Sequence, residues 1–422
     1  MNSLFNKLKT LISDKSLRNR VLFVVFALFI FRLLAAIPVP GVDALKISQT
    51  LAGNQFFGVF NALSGGGLSR FSIVMLGIGP YITASIIMQL LSMMSKRVKE
   101  LMQESGEAGR KKFNQYTRLL SIPLAALQAF SFIKFLQSQG AIDALSLNAL
   151  IVNIIIIVGG SVLLLWIGEL INEFGIGNGT SLIIMSGILS VMPSKISQFF
   201  FTFTVEQLPI TILYVAIGFL VIAGVVYIYE AERPVQVTYA RAVRGIRALG
   251  SNTTYLPLRL AQAGVMPIIF ASSLLLFPQF LAGVFSNSSR SILQSIGSGL
   301  TTFLQTQWLY ALVYFLLVVF FTYFYTAVTF DPKQISENLQ KNGAFVPGIR
   351  PGEATMNYIS NIVTRITLVG SLFLGIVAVL PLLVQSSTGI ATFAIGGTSL
   401  LIVVSVVIDL IRKVDAQISL QE

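Results

Sequence analysis

The stretch ALIVNIIIIVGGSVLLLWIG, residues 149–168, runs for twenty residues without a charged side chain. A helix of that length is about 30 Å long, which matches the hydrocarbon core of a bilayer. Similar apolar runs recur along the 422-residue chain, which is 55% hydrophobic and 11% charged and has a mean hydropathy of +0.81. A soluble protein could not bury so much apolar surface, and the alternation typical of an outer-membrane barrel is not visible. The sequence therefore predicts an all-α polytopic membrane protein.

Ten apolar segments are predicted to span the membrane. They cover residues 21–37, 71–92, 118–136, 149–171, 179–200, 209–229, 264–284, 307–328, 362–384 and 393–411. Of the 29 Lys and Arg residues, 22 lie in segments that this layout places on the side of the N-terminus, and five lie on the other side. Because cytoplasmic loops are rich in Lys and Arg, both termini are predicted to be cytoplasmic. The net charge of +12 is then largely a consequence of topology.

The ten spans divide into two halves of five, residues 21–200 and residues 201–422. Since each half has an odd number of spans, the second half starts on the opposite side of the membrane, as in inverted repeats. Ahead of the first span, apolar residues at helical spacing alternate with Lys7, Lys9 and Lys15. This pattern predicts an amphipathic helix over residues 1–20 that lies on the inner leaflet.

Several kinds of chemistry are excluded by composition. The chain has no cysteine, no histidine and no P-loop motif, which excludes thiol chemistry, histidine metal sites, Ser-His-Asp triads and P-loop nucleotide hydrolysis. We therefore predict that the protein is not an enzyme and needs no metal or cofactor. An ion-coupled solute transporter is the alternative class, but no carboxylate pair lies in the middle of a predicted span. Arg32 and Arg365 lie within spans and are interpreted as reaching towards lipid headgroups.

Two interrupted segments stand near the second span. The apolar run 56–63 would form only about 12 Å of helix, too short to cross a bilayer, and the glycines at 65–67 would permit a sharp hinge after it. Within the second span, Pro80 cannot donate a hydrogen bond to the carbonyl of Leu76. We expect Pro80 to bend or loosen the helix there.

Two inner loops, residues 230–260 and 329–357, are long and carry arginines. The first contains Arg241, Arg244 and Arg247, and the second presents Arg350 within GAFVPGIRPGEAT, which holds two prolines and three glycines. The positive-inside rule accounts for the charge of these loops. It does not require prolines and glycines to form a stiff frame around one arginine. Such loops suit the docking of a large acidic or RNA-bearing partner.

Eight motifs that occur in order along the chain resemble the SecY family, the channel subunits of the bacterial Sec protein translocase. They are FRLLAAIPVPG (31–41), SGGGLSRFSIVMLGIGPYITASIIMQLL (64–91), GEAGRKKFNQYTR (106–118), GELINEFGIGNGTSLII (168–184), LPLRLAQAGVMPIIFASSLLLFP (256–278), FTYFYTAVTFDP (321–332), GAFVPGIRPGEAT (343–355) and GGTSLLIVVSVVID (396–409). The resemblance implies ten helices in two inverted five-helix halves around an hourglass pore. It also implies a passive channel that translocates unfolded polypeptides and releases membrane segments laterally into lipid.

The resemblance assigns residues to three parts of the channel. The pore ring would comprise Ile78, Ile82, Thr180, Ile184, Ile269 and Ile402. The plug, near residues 56–64, would comprise Phe56, Phe57, Val59, Phe60 and Leu63. The lateral gate, between spans two and three and spans seven and eight, would include Pro80, Thr83, Gln128, Ala261 and Gln262. Thr180 replaces the usual aliphatic residue of the family, and Ala261 replaces its usual asparagine.

The resemblance also implies partners and a location. Arg241, Arg244, Arg247 and Arg350 would dock the SecA ATPase or the ribosome, whose RNA they would also suit. SecE and SecG would be further subunits, and signal sequences, nascent polypeptides and membrane lipids would be the other partners. No DNA binding is expected. The location would be the bacterial cytoplasmic membrane.

Overall fold

The computed structural model describes residues 14–40, 61, 64–101, 106–138, 140–143, 145–202, 208–239, 253–286, 291–388 and 391–419. In chain order the helices are α1 (Lys15–Leu34), α2 (Gly79–Met94), α3 (Gly106–Ser138), α4 (Leu147–Phe174), α5 (Gly179–Thr202), α6 (Leu208–Glu230), α7 (Met266–Ser286), α8 (Ser291–Gln305), α9 (Gln307–Thr329), α10 (Pro332–Lys341), α11 (Glu353–Thr388) and α12 (Ala391–Ser419), and a single turn at Lys96–Lys99 follows α2. The strands are β1 (Glu232–Tyr239), β2 (Thr253–Arg259) and β3 (Ala344–Phe345).

The predicted all-α architecture is confirmed, because a helix lies in each of the ten predicted spans. Among the described residues, six helices are individually long and apolar enough to cross a membrane, namely α1, α3, α4, α6, α9 and α11. Shorter apolar helices occupy α2 and the first parts of α5 and α7. The last predicted span lies within α12, which has 29 residues. The protein is a multi-pass membrane protein.

Helix α1 begins earlier than the first predicted span. The carboxylate of Asp14 accepts a hydrogen bond from the backbone N–H of Ser16 and caps the helix at its N-terminus. Residues 15–20, which we predicted to form part of an interfacial helix, are therefore the first turns of α1. The remainder of that predicted helix, residues 1–13, lies outside the described residues.

Residues 64–78, which we call the pre-α2 segment, do not form a helix, so the helix predicted from residue 71 is wrong there. Their backbone is held by short turns, such as those from Met75 N to Ser72 O at 3.0 Å and from Gly77 N to Val74 O at 2.8 Å. Gly77 has a φ of +57°, which ends a helical path, and Pro80 stands in the first turn of α2, where its missing N–H costs no helical bond. The expected bend at Pro80 is therefore wrong.

The pre-α2 segment is buried although it is irregular. Leu68, Phe71 and Met75 are almost fully covered by protein. Since α2 has 16 residues, or about 24 Å of helix, it is shorter than a bilayer core of about 30 Å. Irregular backbone is tolerated at membrane depth only inside protein, and this burial meets that condition.

The two long inner loops fold together into a three-stranded sheet, which we call the loop sheet. Strand β1 pairs antiparallel with β2 from the same loop, with Val235 opposite Leu256, and also with β3 from the other loop, with Tyr239 opposite Ala344. Val235, Leu258 and Val346 are buried beside Ile359 and Ile362 of α11. The sheet joins the two loops and fixes them to one end of α11.

Two further helices were not predicted. α8 packs against α7 and α9 but leaves Ile292 and Ile296 exposed. α10 begins at Pro332, where the Asp331 carboxylate accepts from the N–H groups of Lys333 and Gln334.

Three apolar clusters organise the spans. One packs α3 and α4 against the pre-α2 segment, and another packs α6, α7, α9, α11 and α12 together with Ile86 of α2. The third, which we call the central cluster, joins α1, α4 and α5 to single residues of α7 and to α12. The central cluster is thus one of the places where the two halves of the chain meet.

Candidate functional site

Four of the six predicted ring residues lie in the central cluster. Ile78 precedes α2, Ile184 lies on α5, Ile269 on α7 and Ile402 on α12, and all four are between 2% and 4% exposed. They come from parts of the chain up to 324 positions apart, since 78 and 402 mark the ends of the set. The structure thus brings aliphatic side chains from both halves into one buried apolar cluster.

Ile82 lies at the margin of this contact. Its N–H donates to the carbonyl of Ile78 over 3.1 Å, so the two residues are one turn apart at the start of α2. Ile82 is partly buried and packs against both the central cluster and the cluster of the second half. Membership of Ile82 in a pore ring stays a prediction, as it does for the other five residues.

Thr180 lies at the N-terminus of α5, where its side chain contacts neighbouring residues. Its hydroxyl donates to Oδ1 of Asn178 over 2.7 Å, and its methyl group faces Gly168 of α4. A side chain at Gly179 would collide with the carbonyl of Gly168, so α4 and α5 approach closely at this point. The structure therefore places Thr180 against α4.

The residues of the predicted gate lie around α2, α3 and the start of α7. Helix α7 packs against both α2 and α3. The side-chain amide of Gln128 on α3 donates to the Thr83 hydroxyl on α2 over 3.3 Å, and that hydroxyl donates to the carbonyl of Gly79. This polar contact joins two helices of the same predicted wall.

Ala261 and Gln262 lie in the turn that precedes α7. Ala261 is buried in the apolar cluster of the second half, and its carbonyl accepts from the N–H of Gly264. The Oε1 atom of Gln262 is buried and accepts no hydrogen bond from any residue that the structure describes. The amide of Gln128 donates to Thr83, which lies on α2.

The predicted plug residues Phe56, Phe57, Val59, Phe60 and Leu63 lie outside the described residues. The turn that follows them contains the glycines at 65–67, and we call it the glycine turn. It is described and is held by several hydrogen bonds. Gly66 N donates to the Asn61 carbonyl over 2.7 Å, and the Asn61 side chain accepts from the N–H of Ser69 over 2.9 Å. Gly65 and Gly66 have φ values of +70° and +79°, which glycine adopts readily.

Arg32 is not directed towards lipid headgroups, so that interpretation is wrong. Its Nη1 donates to the carbonyl of Gly65 over 2.5 Å and to Oγ of Ser190 over 2.9 Å. These bonds link α1, the glycine turn and α5. The sequence signal was an arginine inside an apolar span, but its partners are 33 and 158 positions away, so spacing could not identify them. Arg365 is exposed on α11.

Of the predicted docking arginines, Arg350 is described, and Arg241, Arg244 and Arg247 lie outside the described residues. Arg350 is exposed, and its carbonyl accepts from the Thr355 hydroxyl over 2.8 Å. Two residues further on, the carbonyl of Gly352 accepts from the hydroxyl of Ser336 on α10 over 2.6 Å. Because Val346 is buried beneath the loop sheet, the backbone on both sides of Arg350 is fixed.

Two carboxylates near helix ends form ion pairs. Glu169 of α4 forms an ion pair with Arg118 of α3, and Asp409 of α12 pairs with Lys413 over 3.2 Å. Within the described part of the chain, no group of three Asp, Glu, His or Cys residues could hold a metal ion. The described site is thus an apolar cluster between helices, with the hydrogen bonds of Arg32 to Gly65 and Ser190 at elements of that cluster.

Comparison with known proteins identifies the family to which this chain belongs. The SecY family model matches residues 72–411. Protein translocase subunit SecY of Thermus thermophilus is 43% identical over 415 residues, which cover 96% of this chain and 93% of the relative. Protein translocase subunit SecY of Thermotoga maritima is 39% identical over 411 residues, covering 94% of this chain and 92% of that relative.

Two solved structures share the fold. One, a SecY channel whose plug domain stabilises the closed state, has a TM-score of 0.65 at 20% sequence identity and covers 96% of this chain and 93% of its own. The other, Sec61 in the canine ribosome–channel complex, has a TM-score of 0.61 at 19% identity with the same coverage. The fold and the site define a helical membrane protein built around an apolar contact between two halves. The chain belongs to the SecY family.

Proposed function

We propose that this chain is a protein-conducting channel, the translocase subunit through which unfolded polypeptides cross the cytoplasmic membrane. The observation that carries the proposal is the central cluster, in which Ile78, Ile184, Ile269 and Ile402 converge from separate elements. Related chains with about 40% identity are named protein translocase subunits. The family is one of channels and is not a known family of enzymes.

An aliphatic contact of this kind suits a polypeptide channel for a physical reason. Aliphatic side chains offer no ligand to ions or water, so a narrow ring of them blocks conduction by dewetting. The same surface contacts a passing side chain without selecting its sequence. With Ile82 and Thr180 as its other members, the proposed ring would seal the idle channel and fit loosely around a moving chain.

Lateral release of apolar segments would occur where α2 and α3 meet α7. The contact is largely apolar, and its described polar bond joins Thr83 to Gln128 within one wall. Separation of the two walls would leave that bond intact. We propose that Pro80, Ala261 and Gln262 border the same opening, and that residues 56–64 form the plug that seals the other end of the pore.

The channel is passive in this proposal, so a partner supplies the driving force. SecA or a ribosome would dock on the loop sheet through Arg350, with Arg241, Arg244 and Arg247 as further contacts. Sec61 is found in a ribosome–channel complex, which supports a ribosome as one partner. SecE and SecG would be accompanying subunits, and both termini would face the cytoplasm.

Reconstitution provides the test. The full chain, purified with its co-purifying subunits and placed in vesicles, is expected to translocate a precursor protein when SecA and ATP are added. It is expected not to accumulate small solutes under a sodium or proton gradient. Protease protection of the precursor measures the first activity and radiolabelled solute uptake the second. Solute accumulation without precursor protection would contradict the proposal in favour of a transporter.

A further inference from the structure

Arg32 forms a contact that joins three elements at one point. The guanidinium comes from α1, the Gly65 carbonyl from the pre-α2 segment, and the Ser190 hydroxyl from α5. Ser190 also lies 2.7 Å from the carbonyl of Gly187, to which its hydroxyl donates, so its position on α5 is fixed. Hydrogen bonds to a charged donor are about twice as strong as those between neutral groups.

The pre-α2 segment transmits position from this contact to Ile78. The N–H of Val39 donates to the Phe71 carbonyl over 2.8 Å, and the N–H of Ile73 donates to the Ile37 carbonyl over 3.0 Å. Between these bonds and Ile78 the chain follows consecutive short turns through buried surroundings. Because the segment is bonded in this way, we expect a displacement at Gly65 to be passed on to the residues that follow it.

The tie of the pre-α2 segment to α5 combines Arg32 with the hydroxyl of Ser190, which itself lies 3.3 Å from the carbonyl of Gly65. The two backbone bonds at Phe71 and Ile73 reach only the extension of α1. Arg32 adds one hydrogen bond to Ser190, which lies on the same helix as Ile184 of the central cluster. Gly65 itself packs between Phe31 of α1 and Gly187 of α5. The contact therefore links the elements that supply two of the clustered isoleucines.

We propose that Arg32 is a positioning residue that holds the pre-α2 segment against α1 and α5 and thereby keeps Ile78 in the central cluster. Without it the segment separates from α5 more often, and water reaches the buried residues beneath the glycine turn. The link from this motion to ion leakage rests on the proposed channel function. The motion itself does not.

A thiol reporter can measure the motion, because the chain contains no cysteine. Ser72 is fully buried and its Oγ has no hydrogen-bond partner among the described residues, so Ser72→Cys removes no bond. Ser371→Cys, at an equally buried position in α11, is the reporter for global loosening. Labelling by a water-soluble maleimide is followed on the full-length detergent-solubilised complex.

Arg32→Met is expected to raise the labelling rate at Ser72→Cys about tenfold, equivalent to about 1.4 kcal/mol, and to leave that at Ser371→Cys unchanged. Arg70→Gln is the matched control, since Arg70 is an exposed arginine two positions from Ser72, and it is expected to leave both rates unchanged. Equal labelling of Ser72→Cys with and without Arg32 would overturn the proposal. A parallel rise at both reporters would also overturn it, because it would indicate only lower global stability.

If Arg32→Met does not fold, Ser190→Ala tests the same contact with Arg32 in place. It is expected to raise labelling at Ser72→Cys about threefold, because Arg32 loses one of its two acceptors and the contact of the Ser190 hydroxyl with the Gly65 carbonyl is lost with it. An unchanged rate would overturn the proposal. In vesicles, Arg32→Met is expected to increase iodide leakage; faster labelling without leakage would overturn the link to sealing alone. Failure of the unaltered chain to translocate would instead count against the proposed function.

Discussion

At the scale of single residues, Gly65 and Arg32 form the contact that holds the turn before α2. Gly65 combines a φ of +70° with a site so close that an added Cβ would lie 2.7 Å from Cζ of Phe31 and 3.3 Å from Cα of Gly187. The three glycines suggest a hinge in the sequence. In the structure they allow close packing, and the Arg32 guanidinium donates a hydrogen bond to the carbonyl of Gly65 at that contact. A residue type that permits motion can equally permit a tight contact.

Gly65→Ala is expected to destabilise the protein by about 2 kcal/mol, from left-handed backbone strain together with overpacking against Phe31. Unfolding in detergent, followed by denaturant titration, provides the measurement. Gly264→Ala is the matched control, because Gly264 also has a positive φ of +59° but has nothing within 4 Å of an added Cβ. An equal loss in both variants would show that the contact with Phe31 contributes nothing.

At the scale of elements, α2 is defined by how it begins. Pro80 stands in the first helical turn after Ile78, and the 15 residues before it are turns held by side chains and neighbouring backbone. A proline at that position stabilises the start of a helix and removes no bond within it. The short α2 and the irregular pre-α2 segment together take the place of one regular membrane-spanning helix.

Pro80→Ala is therefore expected to change stability by less than about 1 kcal/mol and to leave the dependence of precursor translocation on a signal sequence unaltered. Ala84→Pro is the contrasting variant, since Ala84 is buried inside α2, where a proline costs about 3 kcal/mol or more. Translocation in reconstituted vesicles and unfolding in detergent measure the two effects. A marked loss of gating in Pro80→Ala would mean that the proline bends α2 after all during opening.

At the scale of the whole molecule, two regions join parts that are distant in sequence. The central cluster joins the two halves of the chain, and the loop sheet joins the two inner loops. Because β3 pairs with β1, the loop that carries Arg350 is held against the loop that precedes α7. A partner that binds Arg350 would therefore act on a structure continuous with α7 and α11.

Arg350→Glu is expected to lower SecA-driven precursor translocation about tenfold or more, because reversing an exposed charge replaces attraction by repulsion at a docking surface. The assembled complex is expected to purify in normal yield. Arg233→Glu, which makes the same charge change at an exposed position of β1, is expected to retain most activity. Equal loss in both variants would indicate a general requirement for basic charge, without a special role for Arg350.

Composition and periodicity by themselves determined the membrane class, the presence of a helix in each of ten apolar segments and the exclusion of histidine and cysteine chemistry. This was achievable because lipid leaves the backbone few alternatives to a helix, so a long apolar run predicts its own structure. The motif resemblance correctly indicated the family. Of the six pore-ring residues that it named, the structure brings four isoleucines into one apolar cluster, although nothing in their spacing required this.

Only the tertiary structure decided the irregular path of residues 64–78, the direction of Arg32 and the pairing of β1 with β3. In each case the partners are supplied from elsewhere in the chain: Arg32 binds Gly65 and Ser190, and Tyr239 lies opposite Ala344. Local sequence specifies a helix because its hydrogen bonds join residues four positions apart. It does not specify bonds between distant residues, which form only when the packed helices bring their donors and acceptors together.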